Sequence, residues 1–184
     1  MKHKLLLVGA STGGPSQIKE ILSSITSLSC TIIIAQHMRE EVLPFFIKDL
    51  QESLHIKALS TPLLINLEEP SVIICAETSV LQKVASGYEI VHDSSHQHYT
   101  PDINILFNSF ANFSSDLDVD VLIMTGIGSD GVDGAKSLKA HGAKVFAQDE
   151  KSSPVFGMPR VAIESGIVDD VKSLDDIKEY FKGL

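Results

Sequence analysis

The sequence contains few cysteines and few basic residues, and each shortage excludes a class of protein. Its two cysteines, Cys30 and Cys75, lie in or beside apolar segments, which is typical of buried thiols rather than of a nucleophile. The chain has 15 lysines and arginines against 24 aspartates and glutamates, so its net charge is −9. Binding to nucleic acid or to an anionic membrane surface needs a basic face, and we therefore expect neither partner.

Long apolar segments are also missing. No run approaches the roughly 20 apolar residues that cross a bilayer. The apolar residues 5–8 are too few for the core of a signal peptide, which needs roughly 7 to 15. We therefore expect a cytoplasmic protein with no direct membrane insertion. With 184 residues, 43% of them hydrophobic, the chain can bury one full core, so a single domain over residues 1–184 is predicted.

Apolar, β-branched segments alternate with amphipathic helical patterns along most of the chain. The segments have apolar residues at consecutive positions, as strands covered on both faces do. Residues 55–92 lack a helical period and predict a small meander of strands. The alternation predicts an α/β three-layer sandwich with a mixed, mainly parallel, doubly wound sheet. The predicted strands are 4–8, 31–35, 71–76, 119–125 and 144–147, and the predicted helices are 15–28, 40–54 and 102–113, with others after the loop 126–131, from Pro159 and from Ser173.

A glycine-rich corner with a serine at its centre follows the first predicted strand. Residues 9–13 read G-x-S-x-G, the pattern of a nucleophile elbow, in which small neighbours leave the serine oxygen accessible to a substrate carbonyl. The same corner could be a tight turn that cradles a phosphate at the start of a helix. The corner by itself does not decide between a nucleophile at Ser11 and a phosphate site.

Three polar residues follow three different predicted strands. Ser11, His37 and Asp130 each come just after a strand ends, and ligands of doubly wound sheets bind beyond the carboxyl ends of the strands. A histidine near the serine can take its proton and a carboxylate can orient the imidazole, so the set predicts nucleophilic catalysis. Each residue alone has a structural alternative, and Asp130 could simply cap the helix that follows it. The chain order of the three differs from that of the α/β-hydrolases.

The loop at 126–131 supports a rival interpretation. It reads G-x-G-x-x-G between a strand and a helix, and Asp149 lies about 20 residues further on, where a dinucleotide site has its ribose contact. A nucleotide-binding oxidoreductase is therefore an alternative. Asp130 weighs against it, since a carboxylate beside the pyrophosphate opposes the attraction of the helix N-terminus. The rival also leaves Ser11 and His37 without roles.

Three histidines in a polar stretch suggest a metal site. His92, His96 and His98 lie near Asp93 and Asp102, and these residue types can bind metal ions. A solvated loop between a strand and a helix explains the same composition. We therefore predict no metal and no cofactor.

Four motifs resemble those of one family in their order and spacing. The motifs are GASTGG at 9–14, AQHM at 35–38, TGIGSDG at 125–131 and FGMPR at 156–160. Together they resemble the catalytic domain of the CheB-type chemotaxis protein-glutamate methylesterases, whose α/β sandwich is unlike the α/β-hydrolase fold. The similarity covers nearly the whole chain and is weakest from about residue 55 to residue 98.

The resemblance implies a role for each residue of the candidate site. It implies that Ser11 is the nucleophile, His37 its base and Asp130 the acid that orients the base. It also implies four substrate-binding or oxyanion positions, which are Thr12, Ile127, Gly128 and Met158.

The implied activity is hydrolysis of glutamate methyl esters on the cytoplasmic helices of methyl-accepting chemotaxis receptors. Family members can also deamidate receptor glutamines by the same acyl chemistry, and neither reaction needs a cofactor. A catalytically silent receptor-binding module with the same fold is the other alternative. One departure concerns substrate recognition, because Tyr99 and Thr100 replace an arginine that the family has just before Pro101.

A second departure concerns regulation. Family members usually carry an N-terminal receiver domain that covers the catalytic face, whereas here Met1 comes only ten residues before Ser11. We therefore expect no receiver domain, an uncovered and constitutively active site, and a monomer.

Overall fold

A computed structural model of the protein describes residues 2–54, 58–60, 63–65, 69–94 and 99–184. Among these residues, no helix is both long and apolar enough to cross a membrane. The strands are β1 (His3–Ala10), β2 (Thr31–Gln36), β3 (Ala58–Ser60), β4 (Leu63–Ile65), β5 (Val72–Cys75), β6 (Ser79–Val84), β7 (Gly87–His92), β8 (Leu117–Ile123), β9 (Lys144–Gln148) and β10 (Asp170–Lys172). The helices are α1 (Gly14–Leu22), α2 (Leu43–Leu54), α3 (Ile103–Ala111), α4 (Val132–Ala140), α5 (Met158–Glu164) and α6 (Leu174–Lys182), with a 3₁₀ turn at Glu40–Val42 directly before α2.

The main sheet has seven described strands in the order β10-β9-β8-β1-β2-β5-β3, and every adjacent pair is parallel. From β1 at the centre the chain builds outwards through β2 on one side. It then returns and builds outwards through β8 on the other side. The direction of winding therefore switches between β1 and β8. The prediction of a doubly wound α/β fold with a mainly parallel sheet is confirmed.

The antiparallel pairs that were expected within a mixed sheet form a sheet of their own. Its three strands lie in the order β4-β7-β6, and they correspond to part of the meander predicted over residues 55–92. β3 and β5, from the same segment, join the parallel sheet instead. Residues 55–57, 61–62 and 66–68 of that prediction lie outside the described residues.

Both faces of the main sheet are covered, which explains the consecutive apolar residues of its strands. Along β1, Leu5 and Leu7 are buried on one face with α3, α4, α5 and the small sheet. Leu6 and Val8 are buried on the other face with α1, α2 and α6. Alternate side chains of a strand point to opposite faces, so a strand that is buried on both faces is apolar at consecutive positions and does not alternate apolar with polar residues. The three predicted layers are present.

The structure differs from the prediction at the end of the first helix and at a strand that was not predicted. The helical pattern over residues 15–28 forms a helix only to Leu22. The hydroxyls of Ser23 and Ser24 donate to carbonyl groups of its last turn, and these local bonds end the helix. β10 has no counterpart in the prediction, because its residues are exposed or half-buried and form no apolar run.

Both cysteines are buried thiols, as predicted. Cys75 is 0% exposed and Cys30 is 4% exposed. Burial raises the pKa of the Cys30 thiol to about 11 and that of the Cys75 thiol to about 12, because it disfavours the thiolate.

The native thiols should therefore resist a disulfide reagent such as DTNB at about pH 8, where a free cysteine is partly ionised. The folded state both hides the sulfur atoms and keeps them protonated, and thiolate is the reactive form. Absorbance after mixing should show almost no release of thionitrobenzoate until guanidinium unfolds the chain, when both thiols should react. Rapid reaction of either thiol in the native protein would contradict the assigned burial.

Candidate active site

Ser11 lies at the corner that joins β1 to α1, and it is 8% exposed. Its N–H donates to the carbonyl of Thr125, just beyond β8, at 2.9 Å, and its own carbonyl accepts from Gly14 at 2.8 Å. The chain turns through Gly13, whose φ of 86° is in the left-handed region that favours glycine. A side chain there would also press on Pro154. The corner thus fixes the serine backbone at the switch between the two halves of the sheet, where doubly wound folds bind ligands.

His37 follows β2 and faces both other members of the predicted set. Its Nδ1 lies 3.1 Å from Ser11 Oγ, and its Nε2 lies 2.8 Å from Asp130 Oδ2. An ionised carboxylate only accepts hydrogen bonds, so Nε2 carries the ring proton and Nδ1 presents a lone pair. The Ser11 hydroxyl therefore donates to Nδ1, which is the arrangement that a general base requires. The structure brings the three predicted residues together.

Asp130 is anchored on the start of α3. Its side chain is fully buried, and Oδ2 accepts from the N–H of Ile103 at 2.9 Å as well as from the imidazole. Oδ1 accepts from the N–H of Asn104 at 3.1 Å and from that of Gly131 at 2.8 Å. The first N–H groups of a helix carry partial positive charge, so this position stabilises a carboxylate. The alternative that Asp130 caps α4 is wrong, because the N-cap of α4 is Gly131, which has no side-chain cap.

Gln36 joins the backbones of the nucleophile and the base. Its side chain is buried, and its single amide nitrogen donates to the carbonyls of Ser11 and His37, each at 3.0 Å. The amide oxygen lies against Gly14, where even a Cβ atom would overlap it. Sequence reasoning assigned Gln36 no role, although the residue lies inside one of the four motifs. Its position next to His37 was the available signal.

Three of the predicted substrate-binding or oxyanion positions carry backbone N–H groups that are candidates for binding an oxyanion. In the part of the chain that the structure describes, those of Thr12, Ile127 and Gly128 make no hydrogen bond. By contrast, the N–H groups of Ser11 and Gly126 are occupied by the carbonyls of Thr125 and Val155. The Ile127 side chain is 65% exposed, so this loop meets solvent. Unpaired donors at fixed positions can stabilise the charge of a tetrahedral intermediate.

Met158 was predicted as a substrate-binding or oxyanion position, and the structure places it underneath the loop. The residue is fully buried in the core. Its N–H and that of Gly157 donate to the carbonyl of Gly126 at 2.8 and 3.1 Å. Its sulfur lies so close to Gly126 that a Cβ there would overlap it. Met158, the apolar residue of the FGMPR motif, therefore packs under the loop and supports it from the core side.

The rival dinucleotide interpretation finds no support in the geometry. Asp149, the expected ribose contact, accepts hydrogen bonds from the backbone and hydroxyl of Ser152, so it closes a local turn. Asp130 in the glycine-rich loop is committed to His37 and to α3.

The histidine stretch gives no metal site within the described residues. His92 pairs with Glu77 at 3.2 Å, while His96 and His98 lie outside the described residues. In the described ranges, no group of three or more potential ligands is placed to hold a metal ion.

Sequence comparison identifies the family. The profile of the CheB methylesterase family matches residues 6–181. The chain belongs to the CheB methylesterase family. A protein-glutamate methylesterase/protein-glutamine glutaminase of Saccharophagus degradans is 32% identical over 95% of this chain and 48% of its own length. One from Lawsonia intracellularis is 32% identical over 97% of this chain and 51% of its own. The chain thus spans about half the length of these curated relatives.

A solved structure confirms the CheB fold. The crystal structure of the Thermotoga maritima CheB methylesterase catalytic domain matches with a TM-score of 0.87 and covers 100% of this chain and 99% of that one. At 24% sequence identity, the match establishes the shared fold. The profile match confirms the family resemblance drawn from the four motifs, and the structural match confirms the α/β architecture.

Proposed function

We propose that this chain is a serine esterase that hydrolyses glutamate methyl esters. The continuous hydrogen-bond chain from Ser11 through His37 to Asp130 carries the proposal. Membership of a family whose relatives are named protein-glutamate methylesterase supplies the substrate class.

In the proposed reaction, Ser11 Oγ attacks the ester carbonyl while its proton passes to His37 Nδ1. Asp130 accepts a hydrogen bond from Nε2 and stabilises the imidazolium that forms. The free N–H groups described above hold the oxyanion, a contribution of roughly 3 to 4 kcal/mol per donor in enzymes from which one was removed. The proton on Nδ1 then leaves with methanol. Water, activated by the same nitrogen, cleaves the acyl-enzyme and leaves a glutamate.

The same steps hydrolyse a glutamine side chain when ammonia replaces methanol as the leaving group. The names of the relatives include protein-glutamine glutaminase, so we propose both activities for this chain. We further propose that its partner is the cytoplasmic helices of methyl-accepting chemotaxis receptors, that it acts in the cytoplasm and that it is a monomer. No step of the reaction requires a cofactor.

The experiment is to measure methanol release from a methylated receptor cytoplasmic fragment and ammonia release from its glutamine form, with the Ser11→Ala variant as the blank. Serine-dependent release of methanol is expected. A fluorophosphonate that labels active serines is tested in parallel. Labelling without methanol release would leave the esterase chemistry in place and exclude the receptor substrate. Absence of both would favour the silent binding module.

A further inference from the structure

An aromatic ring covers one face of the catalytic histidine. Tyr99 stacks on His37 with 5.4 Å between ring centroids and 11° between ring planes. The tyrosine is 37% exposed, and it lies three residues before Asp102, which caps α3. The first N–H groups of α3 donate to Asp130 and Tyr99 lies four residues before α3, so one segment of the chain positions both the stacking ring and the orienting acid.

The stack supplies a restraint in addition to the hydrogen bonds of His37. Ser11 and Asp130 bind the two ring nitrogens. The terminal torsion of a histidine side chain, about the Cβ–Cγ bond, is soft, and rotation about this bond tilts the ring and moves Nδ1 out of line with the serine hydroxyl. A parallel ring against the imidazole face opposes this rotation. It thereby keeps the Nδ1 lone pair directed at the serine hydroxyl.

The same tyrosine reaches the oxyanion loop. A Cβ built on Gly128 would lie 3.3 Å from the Tyr99 hydroxyl oxygen, so the phenol lies over this glycine. Gly128 has a φ of 89° and carries one of the free N–H groups. One side chain thus spans the general base and the proposed oxyanion donors.

We infer that Tyr99 is a positioning residue for the proposed esterase: its ring aligns the His37 imidazole for proton transfer and faces the imidazolium that forms during acylation. An aromatic face within about 6 Å of a cation attracts it, and the measured centroid separation falls inside that range. Since the cation exists only after proton transfer, the attraction favours the transition state over the ground state. The inference takes the identity of the substrate from the proposed function, but the role of Tyr99 applies to any substrate that Ser11 attacks.

The test compares Tyr99→Phe, Tyr99→Leu and Tyr99→Ala with the unchanged chain. Phenylalanine keeps the ring, and leucine keeps apolar bulk without a ring. Val171→Ala serves as the control, because Val171 is 45% exposed and lies on β10. This strand is at the edge of the main sheet, four strands away from β2, which His37 follows. Thermal unfolding of each variant reports whether the fold is retained.

The first readout is the rate at which a fluorophosphonate labels Ser11, which needs no receptor. The leucine and alanine variants should label about 10-fold more slowly, while the phenylalanine variant stays within about twofold. The second readout is the proton NMR shift of the His37 ring, which the stacked aromatic moves upfield. That displacement should persist in Tyr99→Phe and vanish in Tyr99→Leu. Methanol release should show a lower kcat with little change in KM.

Three results would overturn the inference. In the first, Tyr99→Leu and Tyr99→Ala are labelled at the same rate as the unchanged chain. In the second, Tyr99→Phe is labelled as slowly as Tyr99→Ala. In the third, the variants change KM for methanol release and leave kcat unchanged. Folded variants with the expected labelling and NMR pattern, in a protein that releases no methanol from receptor, would support the positioning role while removing the proposed substrate. The two proposals can therefore fail separately.

Discussion

Replacing His37 by alanine should lower the rate of ester hydrolysis nearly as much as replacing Ser11, by about 10⁴- to 10⁶-fold. In the proposed reaction the two side chains exchange one proton in one step, across the 3.1 Å contact between Oγ and Nδ1. The double variant should lose little beyond either single change, because either removal already abolishes the same step. Steady-state methanol release and fluorophosphonate labelling measure the three rates.

The matched control for this prediction is His141→Ala. His141 is exposed at the end of α4, where its ring hydrogen-bonds to the carbonyl of Ser137 in its own helix, so its loss should leave the rate unchanged. A His37→Ala variant that kept a tenth of the normal activity would exclude the general-base role. Fully additive losses in the double variant would show that the two residues act in separate steps.

Asp130→Asn extends the same prediction to the acid, and here the structure adds a cost in stability. The four N–H groups that meet the carboxylate all need an acceptor. An asparagine offers one oxygen, and its amide nitrogen would face donors. We expect a loss of activity of about 10⁴-fold and a loss of about 1–3 kcal/mol in the free energy of unfolding. Urea unfolding monitored by circular dichroism measures the second effect.

Strand-end placement was enough to predict the three catalytic candidates, for a geometric reason. Parallel strands have their carboxyl ends at one edge of the sheet, so residues that follow β1, β2 and β8 must approach one another when these strands are neighbours. The order β8-β1-β2 makes them neighbours. The strands themselves were detectable because both faces are buried and consecutive residues are apolar. β10 was not detectable, because its side chains meet solvent.

What the sequence could not show is the support around these residues. Asp130 is held by N–H groups of α3, whose first residue lies 27 positions earlier in the chain. Backbone donors have no sequence signature, so only the folded arrangement reveals them. Tyr99 was visible as a departure from the family motif, yet its contact with His37 depends on a loop path that no periodicity predicts. The packing of Met158 under the loop is a further contact that its motif does not show.

At Gly126, adding a single methyl group should disturb the candidate nucleophile. It lies between the nucleophile and the core: a Cβ at this position would be 2.6 Å from Ser11 Cβ and would overlap the sulfur of Met158. The methionine is flexible and can move away. Ser11 cannot move freely, because its N–H is bound to Thr125 and its carbonyl to the buried amide of Gln36.

Gly126→Ala should therefore lower kcat by about 100-fold or more, since a displacement of about 1 Å at the reacting atoms has an effect of this size. It should also lower the free energy of unfolding by about 1–3 kcal/mol, as overpacking a filled core does. The labelling rate of Ser11 and urea unfolding measure the two effects. Gly183→Ala is the matched control, because a Cβ there would meet only ordinary contacts at 3.6 and 3.7 Å.

Combining Gly126→Ala with Met158→Ala separates the two neighbours. Shortening the methionine removes its contact with the new Cβ and leaves the contact with Ser11, so the double variant should remain as slow as Gly126→Ala alone. Recovery of the labelling rate in the double variant would show that the methionine, pushed aside, had disturbed the loop. A single Gly126→Ala variant with an unchanged rate would mean that the corner can yield without moving its nucleophile, contrary to the hydrogen bonds that hold Ser11 in place.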